Sequence, residues 1–271
     1  MNDSPEIQLV RATNPGLLTG AGTNTWIFGR GETVVIDPGP ADELHLQRVL
    51  ATANQQGRVV MVACTHHHLD HLEGAARFCE LAQAPLAVYF RRATAPGTLP
   101  VHDGDHLLAG LGELVAVHTP GHASDHLCFL DESSGVIFTG DHVLQGTTSV
   151  VAPPDGDMTA YLDSLERVRQ LRPSRLLPGH GEPIEAAEAA IGELIAHRRQ
   201  REQQILGQLE LGAAIPEELV RRLYASYSPE LQEVAAGTVL AHLLKLEQEG
   251  RVRQVAGGRP RLFERVAGTD R

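Results

Sequence analysis

At 271 residues, with 42% hydrophobic and 21% charged content, the chain has the length for one large domain plus a small one and the make-up of a globular protein. No apolar run approaches the ~20 residues of a membrane span, and residues 1–6 lack the basic and apolar regions of a signal peptide; a cytoplasmic protein without a membrane partner is expected. The net charge of −11 is uneven, since residues 198–271 carry 12 Lys+Arg against 10 Asp+Glu; the acidic body that remains argues against broad, unspecific nucleic-acid binding.

Taken in chain order, Gly22–Gly29 and Thr33–Gly39 read as two strands joined by a Gly-rich turn. Asp37 closes the second, either as a turn-capping carboxylate or as a hydrogen-bond partner to a metal ligand. Residues 42–54 carry Leu46, Val49, Leu50 and Ala53 at helical spacing. A strand over Arg58–Cys64 ends where Thr65-His66-His67-His68-Leu69-Asp70-His71 begins, and a helix is expected around Leu72–Ala82. Short β-type runs follow at Pro85–Phe90, Glu113–His118, His126–Leu130 and Val136–Thr139. A helix over Thr159–Leu171 then precedes Arg175–Leu177. The alternation predicts an α/β architecture with helices outside sheets.

Glu185–Leu209 reads as one long helix, acidic early and arginine-rich late, the order its dipole favours. Beyond Gly212 the composition changes. Helices at Pro216–Tyr227 and Leu231–Gly250 precede two strands within Arg251–Val266, turning around Ala256–Pro260. This part resembles a winged helix, and a packing or dimerising role ranks slightly ahead of nucleic-acid binding. The expected division is residues 1–195 and 196–271. Cys64, Cys79 and Cys128 lie in apolar segments without C-x-x-C spacing and are expected to be reduced core residues.

The histidine stretch carries the chemistry. His66, His68, Asp70 and His71 form H-x-H-x-D-H, and neutral imidazole and carboxylate are donors that borderline metals prefer; His67 reads as a surface or satisfied core residue. Eleven of the 14 histidines fall between His66 and His180. Three later motifs share one form, a β-type run, a glycine and then a donor: Gly121-His122, Gly140-Asp141 and Gly179-His180. Glycine there lets the backbone turn sharply, so that side chains from separate strand ends can converge.

In this order the motifs closely resemble the metallo-β-lactamase-fold hydrolase superfamily, over about residues 8–195. The resemblance implies a four-layer αββα sandwich with its site at one edge of the paired sheets. It further implies two metal ions, zinc with manganese or iron as alternatives. His66, His68 and His122 would hold one, Asp70, His71 and His180 the other, with Asp141 bridging. Two such ions can acidify a shared water to a pKa of about 7. Asp70 is expected to orient that nucleophile, and His126 to face the cleft as proton donor or oxyanion stabiliser, or else to be a plain strand histidine. His102, His106, His118 and His142 are expected to be structural or surface groups. Residues 145–158 are expected to shape the substrate site, with Asn24 and Tyr161 reaching it.

Asn14-Pro15-Gly16, Gly22–Thr25, Pro120–His126 and the C-terminal region resemble the β-lactamase-like proteins that bear an extra winged-helix-like domain. Members of that group are described as endoribonucleases, and fungal relatives as thioesterases. The leading expectation is therefore a dinuclear zinc hydrolase of an ester-like or phosphodiester substrate, such as RNA, an acyl thioester or a lactone. An iron-dependent oxidoreductase of the same fold is the alternative. Another is a nucleic-acid-binding or dimerising protein with a vestigial site, forming a homo-oligomer through residues 196–271.

Overall fold

The structure, a computed structural model, describes residues 5–255 and 261–268. It begins with β1 (Glu6–Arg11) and β2 (Asn24–Ile36), antiparallel over Glu6–Gly29 through Arg11–Asn24. Past that pairing, Gly31–Ile36 run parallel to β3 (Gly57–Ala63). Asn24–Ile36 is one continuous extended run, but it folds back on itself at residues 29–32. A Cβ on Gly29 would meet Glu32 O at 2.3 Å, and Thr25 Oγ1 donates to the Asp37 carbonyl at 2.7 Å, so the two strands and Gly-rich turn expected over residues 22–39 are present. Gly29 and Gly31, with φ of 121° and 77°, make that reversal.

Between β2 and β3 lies α1 (Glu43–Gln56), opened by Asp42, whose carboxylate accepts the N–H groups of Leu44 and His45. After the histidine loop come α2 (Leu69–Leu72) and α3 (Ala75–Ala82), two helices where one was expected. The break falls where Gly74 N–H donates to Gly39 O at 2.9 Å, tying the loop to the turn before α1. β4 (Leu86–Tyr89) and β5 (Leu99–Val101) complete a sheet of order β1-β2-β3-β4-β5.

The second sheet is formed by β6 (His106–Ala109), β7 (Gly112–His118), β8 (Leu127–Asp131) and β9 (Val136–Gly140), an antiparallel meander. The chain then crosses through α4 (Met158–Gln170) to β10 (Arg175–Pro178), parallel to β9. The sheets face each other through Trp26, Phe28, Ile36 and Tyr89 from one and Leu114, Leu127, Phe129 and Phe138 from the other. Trp26 and Phe28 both meet the Phe138 ring edge-on at about 6 Å. Ile27, Val35 and Val62 turn outward onto α1 and α3. Cys128, Ile137 and Leu176 turn outward onto Tyr161 and Leu165 of α4. The four layers are helix, sheet, sheet, helix.

α5 (Ala187–Leu209) leads into α6 (Pro216–Leu223), α7 (Pro229–Gln248) and the antiparallel pair β11 (Val252–Gln254) and β12 (Phe263–Arg265). The expected turn at 256–260 lies outside the described residues. The division expected at 195/196 falls inside α5. Ile191, Leu194 and Ile195 belong to the sandwich core, whereas Ile205, Leu206 and Leu209 pack with Leu219, Val239, Leu243 and Phe263 in a second core. Among the described residues no helix is long and apolar enough to cross a membrane, and the three cysteines are free.

Candidate metal centre

The seven donors stand on segments that leave strand ends at one edge of the sandwich, five on loops and Asp70 and His71 on the short α2. His66, His68, Asp70 and His71 follow β3, His122 follows β7, Asp141 follows β9 and His180 follows β10. His68 Nδ1 lies 3.0 Å from both His66 Nε2 and His122 Nε2. Asp70 Oδ2 lies 3.2 Å from His180 Nε2 and 3.5 Å from His71 Nε2. The carboxylate of Asp141 is shared between these triads. Its Oδ1 is 3.4 Å from both His71 Nε2 and His180 Nε2, while its Oδ2 is 3.7 Å from His122 Nε2.

These spacings suit coordination. Bonds of about 2.0–2.2 Å around a tetrahedral cation put the donor atoms about 3.3–3.6 Å apart. His71 Nε2 and Asp141 Oδ1 are buried without a hydrogen-bond partner, a costly arrangement for two polar atoms that face one another unless a cation lies between them. The donor set and these orphaned atoms fit two metal ions.

The remaining edges of the donor side chains are held by the protein. His71 Nδ1–H donates to Asp37 Oδ2 at 2.8 Å, and the other Asp37 oxygen accepts Thr65 N–H at 2.7 Å. His122 Nδ1–H donates to the Val150 carbonyl at 2.5 Å. Each bond fixes which ring nitrogen faces the centre. Asp37 therefore orients one of the converging histidines rather than merely capping a turn. Gly140 has φ +46°, and a Cβ there would stand 2.6 Å from Thr65 Oγ1. Gly179 serves differently. It leaves room, for a Cβ would come within 2.7 Å of both Asp141 Oδ1 and His71 Cε1.

The electrostatics divide the same way. Burial, reinforced by the neighbouring imidazoles of His71 and His122, pushes His66 well below its ordinary pKa. Burial and the adjacent His122 bring His68 down to about 4. In the other triad burial is overcome. Asp141 and Asp37 hold His71 well above the usual range, and the Asp141 and Asp70 carboxylates raise His180 to about 9. This end of the site is one where carboxylates demand positive charge.

Several expected residues stand elsewhere. His126 does not face the cleft. It is fully buried beneath His66, with Nδ1 2.8 Å from Thr119 Oγ1 and Nε2 accepting Asp141 N–H at 3.2 Å, so it has no path to a substrate and instead shapes the Asp141 loop. Asn24 is also buried. Its amide donates to the carbonyls of Pro178 and Gly181 and accepts from Arg11 Nε, bracing the His180 loop from behind. Tyr161 lies in the core, its hydroxyl donating to His142 O.

Other residues are nearer than expected. His67 Nδ1 is 2.8 Å from Asp125 Oδ1, and Arg92 Nε is 3.2 Å from Asp125 Oδ2. Together with Asp155, which accepts from Ser124, they knit the histidine loop to the loops after β4, β7 and β9. The Arg92 guanidinium already supplies the positive charge that this acidic group needs. A histidine before a ligand was visible in the sequence; its distant partners were not. The Val150 carbonyl, as a backbone group, carries no side-chain signal at all.

Residues 18–180 match the metallo-beta-lactamase superfamily and residues 216–259 the beta-lactamase associated winged helix domain. The chain is 35% identical over 264 residues to a beta-lactamase-like protein 2 homolog from Drosophila melanogaster, covering 89% of this chain and 87% of that one. It is 36% identical over 211 residues to an atrochrysone carboxyl ACP thioesterase from Aspergillus fumigatus, covering 75% and 64%. A metallo-beta-lactamase family protein from Thermus thermophilus superposes with a TM-score of 0.81 at 24% identity, over 96% of this chain and 98% of that one. With its motifs, sandwich and C-terminal helices all accounted for, the chain belongs to the hydrolases of the metallo-beta-lactamase superfamily and carries that family's associated winged helix domain.

Proposed function

We propose that this hydrolase holds two divalent cations, zinc before manganese or iron, and cleaves an acyl thioester. The observation that carries the reading is the division of the Asp141 carboxylate, one oxygen toward each triad of donors. A preference for zinc is supported by a donor set of imidazole nitrogens and carboxylate oxygens at tetrahedral spacing. When bound, such cations supply Lewis-acid polarisation of the electrophile and an acidified water as nucleophile.

The residues divide the remaining work. Asp37 and the Val150 carbonyl fix the rings of His71 and His122, so that no reorientation is needed during the reaction. Asp70 is the carboxylate open to the cleft, its side chain 29% exposed against 12% for Asp141. It orients the attacking water and receives its proton. Because His68 and Asp70 are half-buried while the other ligands are buried, substrate enters over the start of α2, where Leu69 is 70% exposed. The exposed Leu69 at that entrance and an acidic body favour an acyl group over a polyanion, and the thioesterase named among the relatives supports the same choice.

The test is turnover by zinc-loaded protein of an acyl thioester, a homoserine lactone and single-stranded RNA. Thioester cleavage without RNA cleavage is expected. RNA cleavage alone would overturn the substrate class, and inertness toward all three with two metals bound would overturn the hydrolytic reading for these classes. His68→Ala and Asp141→Ala are each expected to lose at least about 100-fold in activity together with metal content, because a missing ligand leaves an incomplete coordination sphere.

A further inference from the structure

Ser149 and Val150 are consecutive residues, and each holds a different ligand. The Val150 carbonyl accepts His122 Nδ1–H, while Ser149 Oγ–H donates to the Asp141 carbonyl at 2.5 Å and lies 3.1 Å from that of His142. This strap is itself gripped by the C-terminal helices. Arg198 of α5 donates from Nη2 to the Ser149 carbonyl at 2.5 Å. Two residues further along the strap, Ala152 packs against α7 so closely that a Cβ on Gly237 would meet its methyl at 2.7 Å.

Arg198 is an expensive residue to keep here. It is 2% exposed, its Nε has no hydrogen-bond partner, and its guanidinium lies 5.3 Å from the centre of the Tyr161 ring. Among the described residues no carboxylate pairs with it. Glu202, one turn along α5, is bonded to Lys245 and His242 instead. A buried charge with so few partners is costly to desolvate, whereas an apolar side chain would satisfy the packing. What only a long cationic donor provides is a fixed hold on the Ser149 carbonyl.

We propose that Arg198 is a positioning residue for the metal centre, setting its cation affinity from the C-terminal side through the Ser149–Val150 strap. The proposal rests on the two-cation reading above. Loss of the guanidinium frees the strap, and His122 and Asp141 then sample orientations that no longer converge. Arg198→Lys keeps one donor and recovers part of the effect.

Zinc stoichiometry and affinity, measured on the full chain by competition with a chromophoric chelator, test this alongside the visible spectrum of the cobalt-substituted protein. Arg198→Met is expected to weaken zinc binding about tenfold and to shift the cobalt bands, with Arg198→Lys in between. Leu219→Ala, which opens the second core far from the strap, is expected to lower Tm while leaving affinity and bands in place. Equal shifts in Arg198→Met and Leu219→Ala, or none in Arg198→Met, overturn the proposal. If Arg198→Met fails to fold, Ser149→Ala decides: a several-fold loss of affinity supports the strap, and wild-type affinity sinks it. Wild-type protein that binds fewer than two cations would instead overturn the reading beneath the proposal.

Discussion

Among single residues, the converging donors were legible and their supports were not. H-x-H-x-D-H packs four donors into one loop, and three glycine-preceded donors follow in an order with few other purposes. Asp37 was half legible, as a carboxylate at a strand end, but its bond to His71 depends on how β2 and β3 lie side by side. His126 shows the opposite error. Four residues from a ligand is close in sequence, yet the turn at Gly121 and the entry into β8 carry the ring underneath the site. Gly179 gives a test at this scale. Gly179→Ala puts a methyl 2.7 Å from Asp141 Oδ1 and His71 Cε1, so the purified variant is expected to retain one metal per chain and lose the other by elemental analysis. Two tightly held metals would contradict the arrangement of the second triad.

Among the elements, the long periodic helices and most strands were read well, and three short strands were missed. β1, β5 and β6 carry too little alternation over three to six residues to mark them. In α5 the buried stripe Ile191, Leu194, Ile195, Arg198, Glu202, Ile205 and Leu209 keeps helical spacing. That stripe is the signal that could have singled out Arg198 from Arg199 and Arg201, had its charge not argued for solvent. Where α5 crosses α7, Glu202, His242 and Lys245 form a buried cluster with a defined pH response. Burial lowers the His242 pKa below its ordinary 6.5, so this residue costs stability as pH falls through 6.5. Burial acts to raise Glu202, but its bonds to His242 and Lys245 leave it below 4.5; its contribution is complete above that pH and is lost below it. Tm is therefore expected to fall from pH 7 to pH 5 and again below 4.5. The first decline should be shallower in His242→Gln, and an identical slope in both proteins would refute the assignment.

At the scale of the whole molecule, the four-layer order was implied by the alternation of elements and the motif resemblance, but the interlock of its two cores was not. α5 serves both, and Ala241 of α7 packs into the sandwich cluster. Such tertiary pairings lie beyond any local pattern, since strand and helix spacing record which face is apolar but not what covers it. The interlock predicts that a chain cut after residue 195 will not behave as an independent catalytic domain. It loses Arg198 and uncovers the strap at Ala152. Recombinant 1–195 is expected to show a lower Tm and reduced zinc content, while wild-type values for both would separate the two cores.

The seven donors come from both halves of the sandwich: four follow a strand of the first sheet, and three follow strands of the second. Cations bound there would be a removable staple across the seam, linking chain segments over a hundred residues apart. Selective binding to the closed form adds about 4 kcal/mol when free ion exceeds its dissociation constant a thousandfold. Chelation is expected to lower Tm and to speed amide exchange first at the ends of β3, β9 and β10, before the helices respond. The ions that serve the chemistry would in that event also act as the clasp that keeps the halves of the molecule from parting.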